Sequence, residues 1–315
     1  MMARIISLLA AASEVIPEYE GADPNKGVLA SVLRPATSMA NPSHGFALVT
    51  PASRGLGFAL ARRILSHTEI PVVATARKGC DEVRHRLLDG LAASREAADR
   101  LRVLPVDVTD ESTIESMAAE LHQTFPNSPL RLALTVPGVL HVEKSPAQID
   151  GANTLHSFQV NAVGQLLLMK HLATFLPTKS SSPFPVSESH PANDESRLKL
   201  PSHAIYAVMA ARVGSISDNG TGGWYSYRAS KAAVFQLAKT FDLHLRTRSR
   251  DRALAVALHP GTVRTDFTQA YWGSRDMLEP DEAAQKLLQI ITEMLPGNED
   301  GRGRCWDWKG KEVLP

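Results

Sequence analysis

The residues whose types and spacing most clearly suggest catalysis are a tyrosine and a lysine in the segment Tyr225-Ser-Tyr-Arg-Ala-Ser-Lys231. Tyr227 and Lys231 are four positions apart and therefore share one face of a helix, where an ammonium group beside a phenol favours the phenolate. A phenol with an ordinary pKa of about 10 exchanges protons near neutral pH only when such a charge lowers that pKa. Tyr225 has Ala229 four positions on and lacks this partner. We therefore predict proton transfer by Tyr227 and Lys231.

A second candidate is the turn Thr50-Pro-Ala-Ser-Arg-Gly-Leu-Gly57, which follows an apolar run and precedes a helical pattern over residues 58–66. Small residues in such a turn let backbone N–H groups approach a pyrophosphate, whose charge is favoured by the helix dipole. Strand, turn, helix and second strand follow within about 30 residues, as a dinucleotide-binding unit requires. A plain strand-to-helix turn is the alternative. The predicted contacts are Thr50, Ser53, Arg54, Gly55, Leu56 and Gly57.

The charge of the residues that follow the second predicted strand indicates whether a site binds NAD or NADP(H). An NAD site typically places a carboxylate about 20 residues past the turn, on the ribose 2′-hydroxyl. This chain has Arg77 and Lys78 there, and Arg54 lies within the turn. These cations suit a 2′-phosphate and predict NADP(H) as the cofactor, with simple solvation of Arg77 and Lys78 at the surface as the alternative.

A carboxylate follows the third apolar run, in Val106-Asp-Val-Thr-Asp110. Asp107 is placed to accept a hydrogen bond from an adenine amino group at the carboxyl edge of a sheet, and Val108 is predicted to contact the cofactor beside it. If the segment only caps a helix, Thr109 or Asp110 serves that purpose.

The elements that must position these residues alternate between apolar runs and helical patterns from residue 46 onward. The runs of strand length span residues 46–50, 72–76, 101–106, 130–136, 204–210 and 253–258, and residues 305–308 fit a closing edge strand. Near-continuous apolar strands separated by helices indicate a parallel sheet covered on both faces. We predict an α/β fold with a single doubly wound Rossmann domain and a mainly parallel sheet.

Together, these segments resemble the short-chain dehydrogenases/reductases, and within that family the sniffer-type carbonyl reductases and C-factor-like proteins. The likeness extends from residue 46 to about residue 310 and is most specific over residues 214–231. It implies that Tyr227 donates a proton to a substrate carbonyl while NADPH delivers hydride, and that Lys231 holds the nicotinamide ribose and lowers the tyrosine pKa. Asn161, by the same resemblance, anchors a water relay to the lysine. The alternative for Asn161 is a polar helix residue that bonds to backbone.

The resemblance also implies further cofactor contacts and an assembly. The nicotinamide amide is expected against Pro260, Gly261, Val263 and Thr265, and Gly138 is expected to permit close approach of the cofactor. Homo-oligomers are implied only by analogy with the family.

Three positions depart from the family pattern. Pro51 stands where the turn usually has glycine and removes a backbone N–H donor. Thr135-Val-Pro-Gly138 replaces Asn-Asn-Ala-Gly, so an asparagine that ties neighbouring strands is absent. Ala211 occupies the position of the serine that polarises the carbonyl, and Ser215 is the nearby candidate to replace it. Whether Ser215 reaches the carbonyl depends on loop geometry.

Two functions are compatible with these residues. The first is an NADPH-dependent oxidoreductase that reduces a ketone, aldehyde or enone by hydride transfer, with Tyr227 as proton donor. The second is a catalytically weak NADP-binding or scaffolding protein on the same fold, suggested by the departures at Pro51, Val136, Pro137 and Ala211. The retained tyrosine, lysine and asparagine favour the first.

Composition limits the other function classes. The chain has 315 residues, of which 43% are hydrophobic, enough to bury a large core. Its formal net charge of +1 does not favour a nucleic-acid partner, and no apolar run is long enough to span a membrane. Cys80 and Cys305 lie far apart, outside any metal-ligand or disulfide pattern, and are interpreted as reduced packing residues. We expect a small-molecule substrate, no metal and a cytoplasmic location.

Two segments fall outside the alternation of strands and helices. Residues 1–45 are interpreted as an N-terminal extension before the 46–315 cofactor-binding and catalytic domain. The start, MMARIISLLAAA, is similar to a minimal signal peptide, but its apolar stretch is short, and the acids after it argue against a mitochondrial address. Residues 177–203 are rich in Ser, Pro and charge, which predicts a polar surface insertion or, alternatively, a substrate lid or partner loop.

Overall fold

The structure is a computed structural model, and it describes residues 42–91, 94–186, 197–272, 277–295 and 301–315. Most of the predicted N-terminal extension and the middle of the predicted insertion lie outside these residues. The strands are β1 (Phe46–Thr50), β2 (Val72–Ala76), β3 (Leu101–Pro105), β4 (Leu130–Thr135), β5 (Ala204–Met209), β6 (Ala253–His259), β7 (Thr262–Val263), β8 (Met277–Leu278), β9 (Cys305–Asp307) and β10 (Glu312–Val313).

The helices between the strands follow the predicted alternation. They are α1 (Gly55–His67), α2 (Cys80–Leu88), α3 (Ser94–Arg100), α4 (Glu111–Thr124), α5 (Gly151–Phe158), α6 (Gly164–Leu172), α7 (Tyr225–Arg248) and α8 (Pro280–Gln289). A π-helical segment, Gln159–Val163, joins α5 to α6 and contains Asn161. Among the described residues, no helix is long and apolar enough to cross a membrane.

One sheet of eight described strands runs in the order β10-β9-β6-β5-β4-β1-β2-β3. Every pair is parallel except β9 with β10. Helices cover both faces, because β1, β2, β4 and β5 are buried along their whole length and must hide apolar side chains on either side. The predicted doubly wound α/β fold is confirmed.

The strand order reverses between β1 and β4, which are direct neighbours although two strands separate them in sequence. In such sheets ligands bind in the crevice at the carboxyl ends of the strands beside this switch point. The glycine turn follows β1, Gly138 follows β4, Ala211 follows β5 and Pro260 follows β6. Four candidate segments that are distant in sequence therefore meet at one edge of the sheet.

Two sequence predictions need correction. The strand at residues 305–307 is not the edge of the sheet: β9 pairs in parallel with β6, and β10 forms the edge beyond it. The prediction failed because β10 is only two residues long and has no alternating pattern of its own.

Residues 177–203 were predicted to form a polar surface insertion, but parts of its described ends are buried against the sheet. Phe184 is buried, and its backbone N–H donates to the carbonyl of Ser202 at 2.8 Å. The guanidinium of Arg131, on β4, donates to the carbonyls of Pro185, Leu200 and Pro201. This buried cation therefore ties both ends of the segment to the sheet.

Candidate active site

The glycines of the turn after β1 let a ligand approach the protein backbone closely. Gly55 has φ +57°, a left-handed conformation that favours glycine. A Cβ on Gly57 would lie 2.0 Å from the carbonyl oxygen of Pro51, so no larger residue fits there. Arg54 precedes α1 without a side-chain capping bond, and the first N–H donors of α1 are suited to a pyrophosphate.

The side chain of Thr50 has a structural contact at the end of β1. It is completely buried, and its hydroxyl shares a 2.7 Å hydrogen bond with that of Thr75 on β2. The hydroxyl therefore ties two core strands together, and a cofactor contact by Thr50 stays a prediction. The residues of the turn itself, Ser53 to Gly57, remain the cofactor candidates after β1.

The predicted adenosine end of the site brings cations and one carboxylate together. Arg77 and Lys78 are exposed immediately after β2, as a phosphate ligand would require. Burial acts to raise the pKa of Asp107, but hydrogen bonds from Thr109 and the charge of Arg77 outweigh it and lower that pKa. Asp107 accepts from both the backbone and the hydroxyl of Thr109, at 3.0 and 2.7 Å. The helix cap of α4 is Asp110, which leaves Asp107 outside that role.

The end of β4 and the residues after it lack the asparagines of the family pattern but are held by other contacts. The backbone N–H of Val136 donates to the carbonyl of Thr50 at 2.7 Å, and a Cβ on Gly57 would meet the Val136 side chain at 3.0 Å. The hydroxyl of Thr135 donates to the carbonyl of Ala207 on β5 over a long 3.4 Å. The strands therefore remain tied although the asparagine is absent.

Gly138 lies at the centre of the candidate site. A Cβ there would be 3.9 Å from both the Asn161 amide oxygen and the Lys231 ammonium, and 3.8 Å from the ring of Phe267. Asn161 accepts from the backbone N–H of Val139 at 2.8 Å and donates to its carbonyl at 3.0 Å. The amide of Asn161 thus fixes the loop that contains Gly138, as the alternative interpretation of that residue expected, while the water relay stays a prediction.

Tyr227 and Lys231 share the buried face of α7, as their spacing predicted. The ammonium lies 5.9 Å from the centroid of the tyrosine ring and donates to the carbonyl of Met209 at the end of β5, at 2.8 Å. Burial lowers the pKa of Lys231 to about 8. Burial also raises the pKa of Tyr227, which is opposite to the direction expected from the lysine. The cause is desolvation of the phenol, and a lowering of its pKa by Lys231 stays a prediction.

Ser215 is buried, with 2% of its surface exposed, and its hydroxyl oxygen accepts from the backbone N–H of Asp218 at 3.0 Å. This bond ties the Ser215 oxygen to its own loop but does not use the hydroxyl proton. Ala211 lies at the start of the turn after β5, with 9% exposed and an extended backbone. The role of Ser215 as the replacement for the missing serine stays a prediction.

The segment after β6 closes the cleft opposite the glycine turn. A Cβ on Gly55 would be 3.2 Å from the methyl group of Thr265, so the two segments are in contact. Val263 is buried and pairs with Leu278 in the small β7–β8 sheet. Gly261 has φ +76° and lies against the ring of Trp308, where a Cβ would come within 2.6 Å. Pro260 and Thr265 are partly exposed on this cleft wall.

Comparison with known proteins gives a consistent result. A family model described as short chain dehydrogenase matches residues 45–182. The 1-hydroxy-2-glutathionyl-2-methyl-3-butene dehydrogenase of Rhodococcus sp. (strain AD45) is 26% identical over 250 residues, which cover 79% of this chain and 91% of that protein. C-signal of Myxococcus xanthus is 26% identical over 185 residues, covering 59% of this chain and 92% of that protein.

Solved structures share the fold. The NADPH-bound carbonyl reductase from chicken fatty liver matches with a TM-score of 0.70 and 24% identity, covering 86% of this chain and 98% of that one. The carbonyl reductase Sniffer of D. melanogaster matches with a TM-score of 0.69 and 22% identity, covering 86% and 99%. The chain is therefore similar to the short-chain dehydrogenases in the sequence of residues 45–182 and in its fold. The resemblance inferred from residues 214–231 and the glycine turn is thereby confirmed.

The site contains two functional candidates that the sequence analysis missed. One is Trp224, whose ring centroid lies 6.4 Å from that of Tyr227, beside which Phe267 also lies at 6.1 Å. Glu143, in the loop after β4, is buried and bonds to the start of α7. Isolated aromatic and acidic residues carry no spacing signal, so only the fold could place them beside Tyr227.

Proposed function

We propose that this protein is a short-chain dehydrogenase and an NADP(H)-dependent oxidoreductase that reduces the carbonyl group of an apolar small molecule, with Tyr227 as proton donor. The observation that carries the proposal is the convergence of Tyr227, Lys231 and Gly138 at the carboxyl edge of the sheet, beside the glycine turn. The bound cofactor would supply hydride. The residues suited to hold it are Ser53, Arg54, Gly55, Leu56, Gly57, Arg77, Lys78, Asp107, Val108, Gly138, Lys231, Pro260, Gly261, Val263 and Thr265.

The protonation states of Tyr227 and Lys231 suggest how they share the proton transfer. Because burial raises the pKa of Tyr227, the phenol keeps its proton near neutral pH, and its donation to a carbonyl oxygen that gains negative charge needs a nearby cation to favour the phenolate. Lys231, with a pKa of about 8, is mostly protonated at pH 7 and supports the phenolate that forms when the proton leaves. The phenol and the ammonium therefore have complementary roles in the same step.

Polarisation of the carbonyl falls mainly to Tyr227. Ala211 offers no hydroxyl, and Ser215 is only 2% exposed, with its oxygen held in its own loop by the amide of Asp218. A site with one side-chain donor instead of two lacks roughly 2.7 to 4 kcal/mol of transition-state stabilisation, so we expect slow turnover. The alternative, an NADP-binding or scaffolding protein with little turnover, draws its support from this same observation.

The substrate surface around Tyr227 is aromatic. Trp224 meets the tyrosine edge-on and Phe267 lies tilted against it, with Trp272 also partly exposed nearby in sequence. Aromatic walls with few polar groups favour apolar ligands. We therefore expect aromatic or aliphatic ketones, aldehydes or enones to be reduced in preference to charged carbonyl compounds.

Substitution of the tyrosine tests the proposal. Tyr227→Phe should lower NADPH oxidation with a panel of carbonyl compounds by about 100- to 10,000-fold while NADPH affinity, measured by fluorescence, stays within a few-fold. Tyr225→Phe is the matched control, because this phenol is exposed and lies at the start of the same helix. Turnover by Tyr227→Phe equal to that of the wild type would exclude the proposed proton donor. NADPH binding by the wild type without turnover of any compound would favour the scaffolding alternative.

A further inference from the structure

The helix that contains the proposed proton donor begins without a capping side chain of its own. Trp224 is the residue before α7, has φ +51° and makes no side-chain capping bond. It follows Gly222 and Gly223, with φ +66° and +68°, so three successive residues are left-handed. A left-handed conformation is uncommon for a residue as bulky as tryptophan and persists only where the surroundings impose it.

A residue from another part of the chain supplies the missing contacts. The backbone carbonyl of Glu143 accepts from the N–H of Trp224 at 2.6 Å. Its carboxylate accepts from the N–H of Ser226 at 2.7 Å and from the hydroxyl of Ser226 at 2.5 Å. Ser226 immediately precedes Tyr227, and its hydroxyl also shares a 2.8 Å bond with that of Thr154 on α5.

The Glu143 carboxylate and its hydrogen bonds are buried, so the loss of these bonds would leave donors unsatisfied. Glu143 is 2% exposed and Ser226 is 3% exposed, so a donor left without its acceptor there has little access to water. The carboxylate also lies at the N-terminus of α7, where the helix dipole favours negative charge. Glu143 thereby satisfies two backbone donors that the helix cannot satisfy itself.

We propose that Glu143 is a positioning residue that holds the start of α7, and with it the phenol of Tyr227 and the indole of Trp224, against the loop after β4. That loop also contains Gly138, beside the ammonium of Lys231. The inference rests on the proposed function, because it assigns Glu143 an effect on turnover through Tyr227. Glu143 itself touches neither substrate nor cofactor in this proposal.

Glu143→Gln tests this role, since the amide keeps the volume but presents an N–H group to donors that need an acceptor. At saturating NADPH we expect kcat to fall by about 10- to 100-fold, the magnitude associated with a small displacement of a reacting group. The dissociation constant of NADPH should stay within about twofold. Amide hydrogen exchange over residues 222–228 should become faster, measured by mass spectrometry.

Asp110→Ala is the matched control. Asp110 caps α4 by accepting from the N–H and the hydroxyl of Ser112, the same pair of donors that Glu143 binds in Ser226. Its loss should affect stability without a comparable loss of kcat. Ser226→Ala is a milder second variant. It removes the hydroxyl's bonds to Glu143 and Thr154 but keeps the backbone N–H bond to Glu143, and it should lower kcat by less while leaving NADPH affinity unchanged.

A double-substitution cycle separates positioning from a general structural effect. In a Tyr227→Phe background, Glu143→Gln should cause no further loss of the residual rate, because Glu143 acts through the phenol. Unchanged kcat in Glu143→Gln, equal losses in the two backgrounds, or a parallel loss of NADPH affinity would overturn the proposal. If the wild type shows no reductase turnover, the proposed function fails. The exchange measurement then decides whether Glu143 holds the start of α7.

Discussion

The missing serine at Ala211 leads to the sharpest prediction. We expect Ala211→Ser to raise kcat and Ser215→Ala to leave it nearly unchanged. Ala211 has an extended backbone, φ −151° and ψ 143°, that serine adopts freely, and its 9% exposure leaves it at the edge of the cleft. Ser215 already uses its hydroxyl oxygen to bind the amide of Asp218.

The magnitudes follow from these contacts. A placed donor to a developing oxyanion contributes roughly 2.7 to 4 kcal/mol, or about 100- to 1,000-fold in rate. Because the surrounding loop has not adjusted to a serine, we expect Ala211→Ser to recover about tenfold or more. Ser215→Ala removes one hydrogen bond from the loop and should reduce the free energy of unfolding by about 1 kcal/mol.

The assay is NADPH absorbance decay on one carbonyl substrate, combined with thermal unfolding. Ser217→Ala is the control for loop stability, because its exposed hydroxyl belongs to the same loop and donates to a backbone oxygen of Pro315. A large loss of kcat in Ser215→Ala together with an unchanged kcat in Ala211→Ser would refute the reasoning and show that Ser215 polarises the carbonyl. If neither substitution changes kcat, the donor position itself is wrong.

Three further predictions concern the cofactor, the turn and acid stability. Wild-type protein should bind NADPH at least about tenfold more tightly than NADH, and neutral residues at both Arg54 and Arg77 should narrow that gap in fluorescence titrations; equal wild-type affinities would contradict it. Gly57→Ala should abolish NADPH binding or folding, since its Cβ would lie 2.0 Å from a backbone oxygen, and an unaffected titration would contradict this. Burial lowers the pKa values of His203 and His259 to about 4, so the unfolded state binds protons at a higher pH than the folded state does. The free energy of unfolding should therefore decrease as pH falls from about 6.5 towards 4, by up to roughly 3 kcal/mol per histidine. Denaturant titrations of His203→Asn and His259→Asn should show a weaker dependence, and a pH-independent wild type would contradict the prediction.

Much of the fold could be predicted from local pattern. Six of the predicted strands agree with β1 to β6 to within a residue at either end, because buried parallel strands are continuous apolar runs bounded by turns. The short strand β10 was missed and the place of β9 in the sheet was wrong. Two or three residues carry too little pattern to define a partner, and pairing in a sheet is decided by neighbours that are distant in sequence.

The sequence by itself determined the fold class, the resemblance to the short-chain dehydrogenases and the helical spacing that places Tyr227 and Lys231 on one face. These properties depend on local periodicity and on motifs of adjacent residues. Only the tertiary structure decided that Thr50 is buried against Thr75, that the Ser215 oxygen binds Asp218, and that Glu143 holds the start of α7. It also decided that burial raises the pKa of Tyr227. Burial and long-range hydrogen bonds depend on which segments the sheet brings together, and a side chain's spacing from its neighbours does not contain that information.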